Sequence, residues 1–178
     1  MATFERPATR NDEFSGKPGL VRFLELPERR FVMIDGDGPA GELAFAPRIP
    51  GLYGTAYPLR YALKRRGIET KVGPLEGLWW TVHEATDAEV ADALERGRSK
   101  LEPPFAGTLR VERFDEGRAA QILHVGSYAE ERGSIERLHR AIEEARLRPR
   151  GRHHEIYLGD PRRSAPDRLK TLLRMPVA

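Results

Sequence analysis

Two stretches of this chain repeat one layout. RFVMIDG at 30–36 is echoed by AAQILHVG at 119–126. Each is rich in β-formers and closes on glycine, and each is followed by a loop and a long segment with helical spacing. The repeat extends to the flanking segments. Each half reads as strand, helix, strand, strand, and the first half carries an additional helix at 86–101 before its last strand. Such modules predict an α+β fold. The two strand–helix–strand–strand units, related by a pseudo-twofold axis, would form one antiparallel sheet with two long helices packed on it. A cleft between the halves would be a natural ligand site.

The elements follow from local pattern. Residues 19–26 and 30–36 predict strands joined by a turn at Pro27-Glu28-Arg29. Helical spacing runs over 47–66 through Ile49, Leu52, Tyr53, Ala56, Leu59, Tyr61 and Leu63. Pro58 lies inside that run and is expected to kink or split it, and Gly67 is a good stop. Residues 68–83 predict extended chain centred on Leu78–Val82. Thr86 and Glu89 have the spacing of a capping box for the helix at 86–101. A hairpin over 108–126 and a strongly amphipathic helix over 128–147 come next. The last two strands, 153–159 and 167–176, meet through an Asp160-Pro161 turn. Residues 1–18 predict a flexible N-terminal arm. Residues 19–178 predict a single domain whose halves divide at about 114/115.

Composition narrows the function classes. The chain has 178 residues, 39% hydrophobic and 32% charged, which suits a soluble globular domain. It contains no run of about 18 apolar residues, so no membrane partner is expected. Its start, MATFERPATRNDEF, lacks a secretory pattern, and cytoplasmic residence is the default expectation. It has no cysteine, so neither a disulfide framework nor a thiolate metal site can form. The net charge is +3, and arginine outnumbers lysine 25 to 5 without the clustering a nucleic-acid footprint needs. The five histidines lack metal-ligand spacing, and His153 and His154 diverge on a strand. Gly36-Asp37-Gly38 opens no phosphate loop, and HVGSY at 124–128 does not fit GxSxG. No cofactor or metal is expected. A long exposed strand edge would permit a homodimer.

The candidate chemistry lies in 153–177. Side chains alternate along a strand, so Glu155 and Tyr157 share one face while Ile156 and Leu158 share the other. If Ile156 and Leu158 face the core, an acid sits beside a ring on the opposite face. The alternative is an exposed carboxylate on an edge strand. Buried among rings, Glu155 would be a general base or a counter-charge for a ligand cation. Tyr53 and Tyr57 are four apart and share a helix face, either as core residues or as pocket lining. Trp79 and Trp80 must point to opposite faces of a regular strand, so one of them is core packing. Tyr128, at the start of the long helix, either packs there or joins an aromatic cage.

Four segments carry a family resemblance: LPERRFVMIDGDG (26–38), GLYGTAYPLRYALKRRGI (51–68), PLEGLWW (74–80) and HHEIYLGDPRRSAPDRLKTLLRMPV (153–177). In this order the chain resembles the GyrI-like small-molecule-binding family, in its stand-alone branch. The resemblance implies a pocket lined by aromatics around a central glutamate that binds flat, often cationic or amphipathic, xenobiotics. The GLWW and HEIY segments are similar to those of cyclopropanoid cyclopropyl hydrolases, which open cyclopropane-bearing DNA-alkylating compounds. Carried over by motif, the glutamate is Glu155, with Tyr157 beside it. The ligand-binding aromatics are Tyr53, Tyr57, Trp79 and Trp80, joined by Tyr128. The mechanism so implied is water activated by Glu155. The alternative is a non-catalytic protein that binds or senses cationic drugs. Pro58 departs from the family pattern.

Overall fold

A computed structural model describes residues 2–35, 46–76, 86–103 and 105–178. The chain divides into two compact units. One comprises residues 1–28, 74–77 and 115–178, and the other residues 29–73 and 78–114. The α+β class and its antiparallel pairing are as expected. The strands divide into a five-stranded sheet in the first unit and a two-stranded sheet in the second.

The five-stranded sheet has the order β1-β5-β7-β6-β3, every neighbour antiparallel. Its strands are β1 (Val21–Leu26), β3 (Leu75–Glu76), β5 (Gly117–Val125), β6 (His154–Tyr157) and β7 (Lys170–Pro176). Pairing of Ile122 with Leu173 and of Leu173 with Glu155 sets which residues share a face. One face carries Ala120, Ile122, Leu173 and Met175. Leu138 and Ile142 of helix α4 (Arg132–Glu144) complete this core cluster. The opposite face carries Leu123, Leu172 and Ile156, against which Phe14 and Leu158 pack.

The second face also carries a row of polar residues. Arg22, Gln121, Arg174 and His154 stand opposite one another across β1, β5, β7 and β6. Gln121, Arg174 and His154 are buried. Burial of such groups requires partners. Arg174 donates to Glu116 and to Gln121 Oε1, the latter at 2.8 Å, and lies 3.4 Å from Glu13. His154 Nδ1 lies 2.8 Å from Glu116 and Nε2 lies 3.2 Å from Glu76. Glu13 belongs to the N-terminal segment read from sequence as an arm. That segment forms a short capped helix, α1 (Arg10–Glu13), and a bridge from Glu5 to Leu24. The Gln121 amide donates to the backbone oxygens of Glu13 and Ser15, fixing the segment to the sheet.

In the second unit, β2 (Arg29–Met33) pairs with β4 (Arg110–Phe114), and Phe31 and Phe114 meet edge to face at 5.8 Å. Helix α2 runs from Ile49 to Arg65 and packs on α3 (Asp87–Arg98). Of the two outcomes expected at Pro58, a kink or a split, the split does not occur, and α2 runs through it. The lost N–H costs one helical bond, and a proline φ is itself helical. The contact with α3 is built from small residues. A Cβ at Gly97 would overlap Thr55 Oγ1 and come within 2.8 Å of the Gly51 carbonyl oxygen. The expected Thr86–Glu89 capping box closes the start of α3.

Two helix ends contrast. α2 finishes with Gly67 at φ 77° and a bond from Ile68 N to Leu63 O. α4 ends in the same way through Leu147 N to Ile142 O, but the left-handed position is held by Arg146 at φ 58°.

Candidate functional site

Strand β6 brings Glu155 and Tyr157 to the face of the sheet that bears α4, while Ile156 is buried on the other. The alternation read from sequence therefore holds. Tyr157 Oη donates to Glu155 Oε2 at 2.7 Å. The Glu155 side chain is about a quarter exposed, and its other oxygen lies 3.8 Å from His153 Nε2. Glu155 is thus half-sheltered, neither a bulk-solvent carboxylate nor a sealed one.

The chain between β5 and α4 closes over this pair. His124 is buried, with its ring nitrogens 3.0 Å from Ser134 Oγ and 3.1 Å from the Ser127 carbonyl. Tyr128 opens a short 3-10 turn, Tyr128–Glu130, and its ring meets Tyr157 edge to face at 5.5 Å. Tyr128 and Tyr157 therefore pack together beside Glu155. Burial, then the Glu155 charge, raises the Tyr157 phenol far above its ordinary value. Tyr157 consequently stays protonated and keeps donating to Glu155. Burial likewise lowers His153, more than the neighbouring Glu155 raises it.

A second carboxylate joins them. Glu131 sits one residue before α4, is 5% exposed, hydrogen-bonds with Thr171, and feels the charge of Glu155. Burial first, and the Glu155 charge second, push it up to about 7. Sequence reading missed Glu131. It lies three residues after Tyr128, on the same side of a helical start, which was the available signal.

The helical aromatics stand in the second unit. Tyr53 and Tyr57 share a face of α2, with ring centroids 5.8 Å apart and tilted 32°. Tyr61, unassigned from sequence, stacks on Tyr57 at 6.5 Å. The row borders an open groove of about 440 Å³, with Pro50, Gly54, Pro58 and Lys100 as its other walls. Tyr57 and Tyr61 are about half exposed, so they are not core packing. Trp79 and Trp80 lie outside the described residues. Among the described residues, no group of three His, Cys, Asp or Glu could hold a metal ion, and no helix is long and apolar enough to cross a membrane.

A family model for the GyrI-like small-molecule-binding domain matches residues 21–178. Solved structures of similar fold include two proteins from Listeria innocua described as hydrolases. The first is 26% identical with a TM-score of 0.77, and covers 97% of this chain and 99% of its own. The second is 25% identical with a TM-score of 0.79, covering 99% and 100%. An uncharacterized conserved protein of the same organism is 28% identical with a TM-score of 0.80, covering 97% and 99%. No curated protein matches the chain.

Proposed function

Because this chain belongs to the GyrI-like family of small-molecule-binding domains, we propose that it binds flat, amphipathic xenobiotics against its aromatic side chains and hydrolyses cyclopropane-bearing DNA-alkylating compounds. The observation that carries this is the Glu155–Tyr157 pair. A half-sheltered carboxylate, oriented by a phenol at 2.7 Å and flanked by a second ring, suits a general base. Glu155 takes a proton from water. The hydroxide oxygen bonds to the cyclopropane carbon and the strained carbon–carbon bond breaks. Its electron pair moves through the conjugated ring to the carbonyl oxygen, which takes a proton from solvent water while Glu155 returns its own to solvent, so one water is added and Glu155 is restored. Tyr157 acts as a positioning residue, since its hydrogen is committed to Glu155. The names of the similar Listeria proteins support hydrolysis in general terms.

Replacing Glu155 with Gln tests this. Ring-opened product should form catalytically with the native protein and fall roughly 10²- to 10⁴-fold in the variant. Undiminished ring opening in the variant would refute it.

A second reading has its own support. On α2 the Arg60 guanidinium lies 5.6 Å over the Tyr61 ring, so that row already accepts a cation. Non-catalytic binding of cationic drugs would show as saturable dye binding to a protein that never opens the ring. Loss of that binding in a Tyr57→Ala variant would then place the dye on the tyrosine row.

A further inference from the structure

We propose that the tyrosine row of α2 is a binding site for flat aromatic anions, and that Lys100 is the residue that selects their charge. The proposal rests on that row being a ligand surface and is independent of Glu155. Tyr57 and Tyr61 leave about half of each side chain in solvent, beside the groove of about 440 Å³. That volume lies within the range of small-molecule sites, and a row of exposed rings offers a flat solute a stacking surface.

Two glycines of α2 bring Lys100 to the groove. The turn that ends α3 is fixed by bonds from Lys100 N to Gly97 O at 3.1 Å and from Leu101 N to Arg98 O at 3.0 Å. Leu101 then fills the space that a side chain at Gly51 would need. Lys100 does the same at Gly54, where an added Cβ would come within 2.8 Å of Lys100 Cδ and 3.4 Å of Cε. The stem of Lys100 is thus seated across α2, and the residue borders the groove together with Tyr53 and Tyr57. Lys100 is exposed, and no carboxylate among the described residues pairs with it.

The surroundings are cationic. α2 contains no aspartate or glutamate from Ile49 to Arg65, and it carries Arg60, Lys64 and Arg65. The Arg60 guanidinium is tied to the Thr70 carbonyl oxygen at 3.0 Å and lies 5.6 Å over the Tyr61 ring. The place of a cation on that ring is therefore already taken. An incoming cation would meet like charge there and again at Lys100. A flat ring bearing a carboxylate stacks on the tyrosines and pairs with the ammonium of Lys100, so shape and charge agree. The row then prefers the charge opposite to that of a cationic drug.

The test is fluorescence titration of the full chain with three probes of one shape: naphthoate, naphthalenemethanol and naphthylmethylammonium. Native protein should bind naphthoate about 2- to 5-fold more tightly than the neutral probe, the size of an exposed ion pair, and the ammonium most weakly. The naphthoate advantage should shrink between about 0.01 M and about 1 M salt. Lys100→Met keeps the stem and removes the charge. It should abolish the advantage and leave naphthalenemethanol binding unchanged, while Lys100→Glu should reverse the order of the charged probes. Tyr57→Ala should weaken all three. Both substituted residues are exposed, so thermal melts of the variants should match that of native protein.

Equal or tighter binding of the ammonium by native protein would overturn the proposal in favour of a cation site. Naphthoate binding that is unmoved by Lys100→Met or by Tyr57→Ala would overturn its placement, and no saturable binding of naphthoate would overturn the site itself. None of these results bears on ring opening, which Glu155→Gln decides separately. A native protein that never opens the ring would in turn leave the charge preference of the row to be measured as before.

Discussion

Replacing Glu116 with Gln removes the central anion of a buried network while keeping its shape. The Glu116 carboxylate faces both His154 and Arg174, and all three are at least nine-tenths buried. Burial alone would raise Glu116, but His154 and Arg174 bring it from an ordinary 4.5 down to about 2. Burial alone would lower His154, but Glu116 and then Glu76 bring it from 6.5 up to about 9. At about 1.4 kcal/mol per pH unit, each displacement is worth ~3 kcal/mol. Both record largely one attraction, so it is counted once. Removing one partner of a buried ion pair costs about 3–5 kcal/mol. Here Arg174 keeps Glu13 and Gln121, and His154 keeps Glu76, so the lower end is expected.

The sign with pH follows. The depressed Glu116 contributes stability that is full above 4.5 and is lost as pH falls toward 2. The raised His154 contributes stability that is full below 6.5 and is lost as pH rises toward 9. Urea unfolding of native protein and Glu116→Gln should therefore differ most between 4.5 and 6.5, by ~3 kcal/mol, and less on either side. In thermal melts this is roughly 6–12 °C for a chain of this length. A difference below ~1 kcal/mol in that window, or one that stays constant up to pH 9 and beyond, would refute the pairing as the source of stability.

Gly97→Ala should destabilise by about 1–3 kcal/mol, because the added carbon meets Thr55 and the backbone of Gly51; Gly133→Ala in α4, with nothing within 4 Å, should stabilise by about 0.5–1 kcal/mol. Parallel urea melts check both. Arg146→Gly should add roughly 1 kcal/mol by relieving a left-handed position, and a fall in melting temperature would contradict it. Tyr157→Phe should lower kcat for ring opening with little change in KM, as expected when a positioning hydroxyl is lost, and an unchanged kcat would remove Tyr157 from that role. Tyr57→Ala should leave thermal stability nearly untouched, since the ring is 44% exposed. It should weaken binding of a flat ligand by about 2- to 10-fold in a fluorescence titration if that row takes part.

What could be read from sequence was what short-range periodicity determines. The facing of Glu155 and Tyr157 needed only the alternation of a strand, and the Thr86 box and the Gly67 stop needed only local hydrogen-bond geometry. Tyr53 and Tyr57 shared a helix face by spacing alone. Arg174 was hidden for the opposite reason. In LKTLLRMPV it looks like a solvent-facing charge, yet its partners lie 53, 58 and 161 residues away. Glu131 was hidden likewise, because its burial depends on β6 and β7, which follow it in the chain. The division of the strands into two sheets depends on which edges pair at long range. Pro58, expected to kink or split its helix, does not end α2, since its fixed φ is itself helical and only one hydrogen bond is lost.

Glu13 lies upstream of the first residue that the family model matches, at position 21, yet its carboxylate sits 3.4 Å from the guanidinium in the middle of β7. The boundary drawn by sequence likeness is thus not the boundary of electrostatic neutrality. Trimming the protein back to its recognisable core would cut away a counter-ion and leave the last strand with surplus positive charge in a low-dielectric interior. This chain excised at that limit should be fragile for a reason that lies outside its recognisable segment.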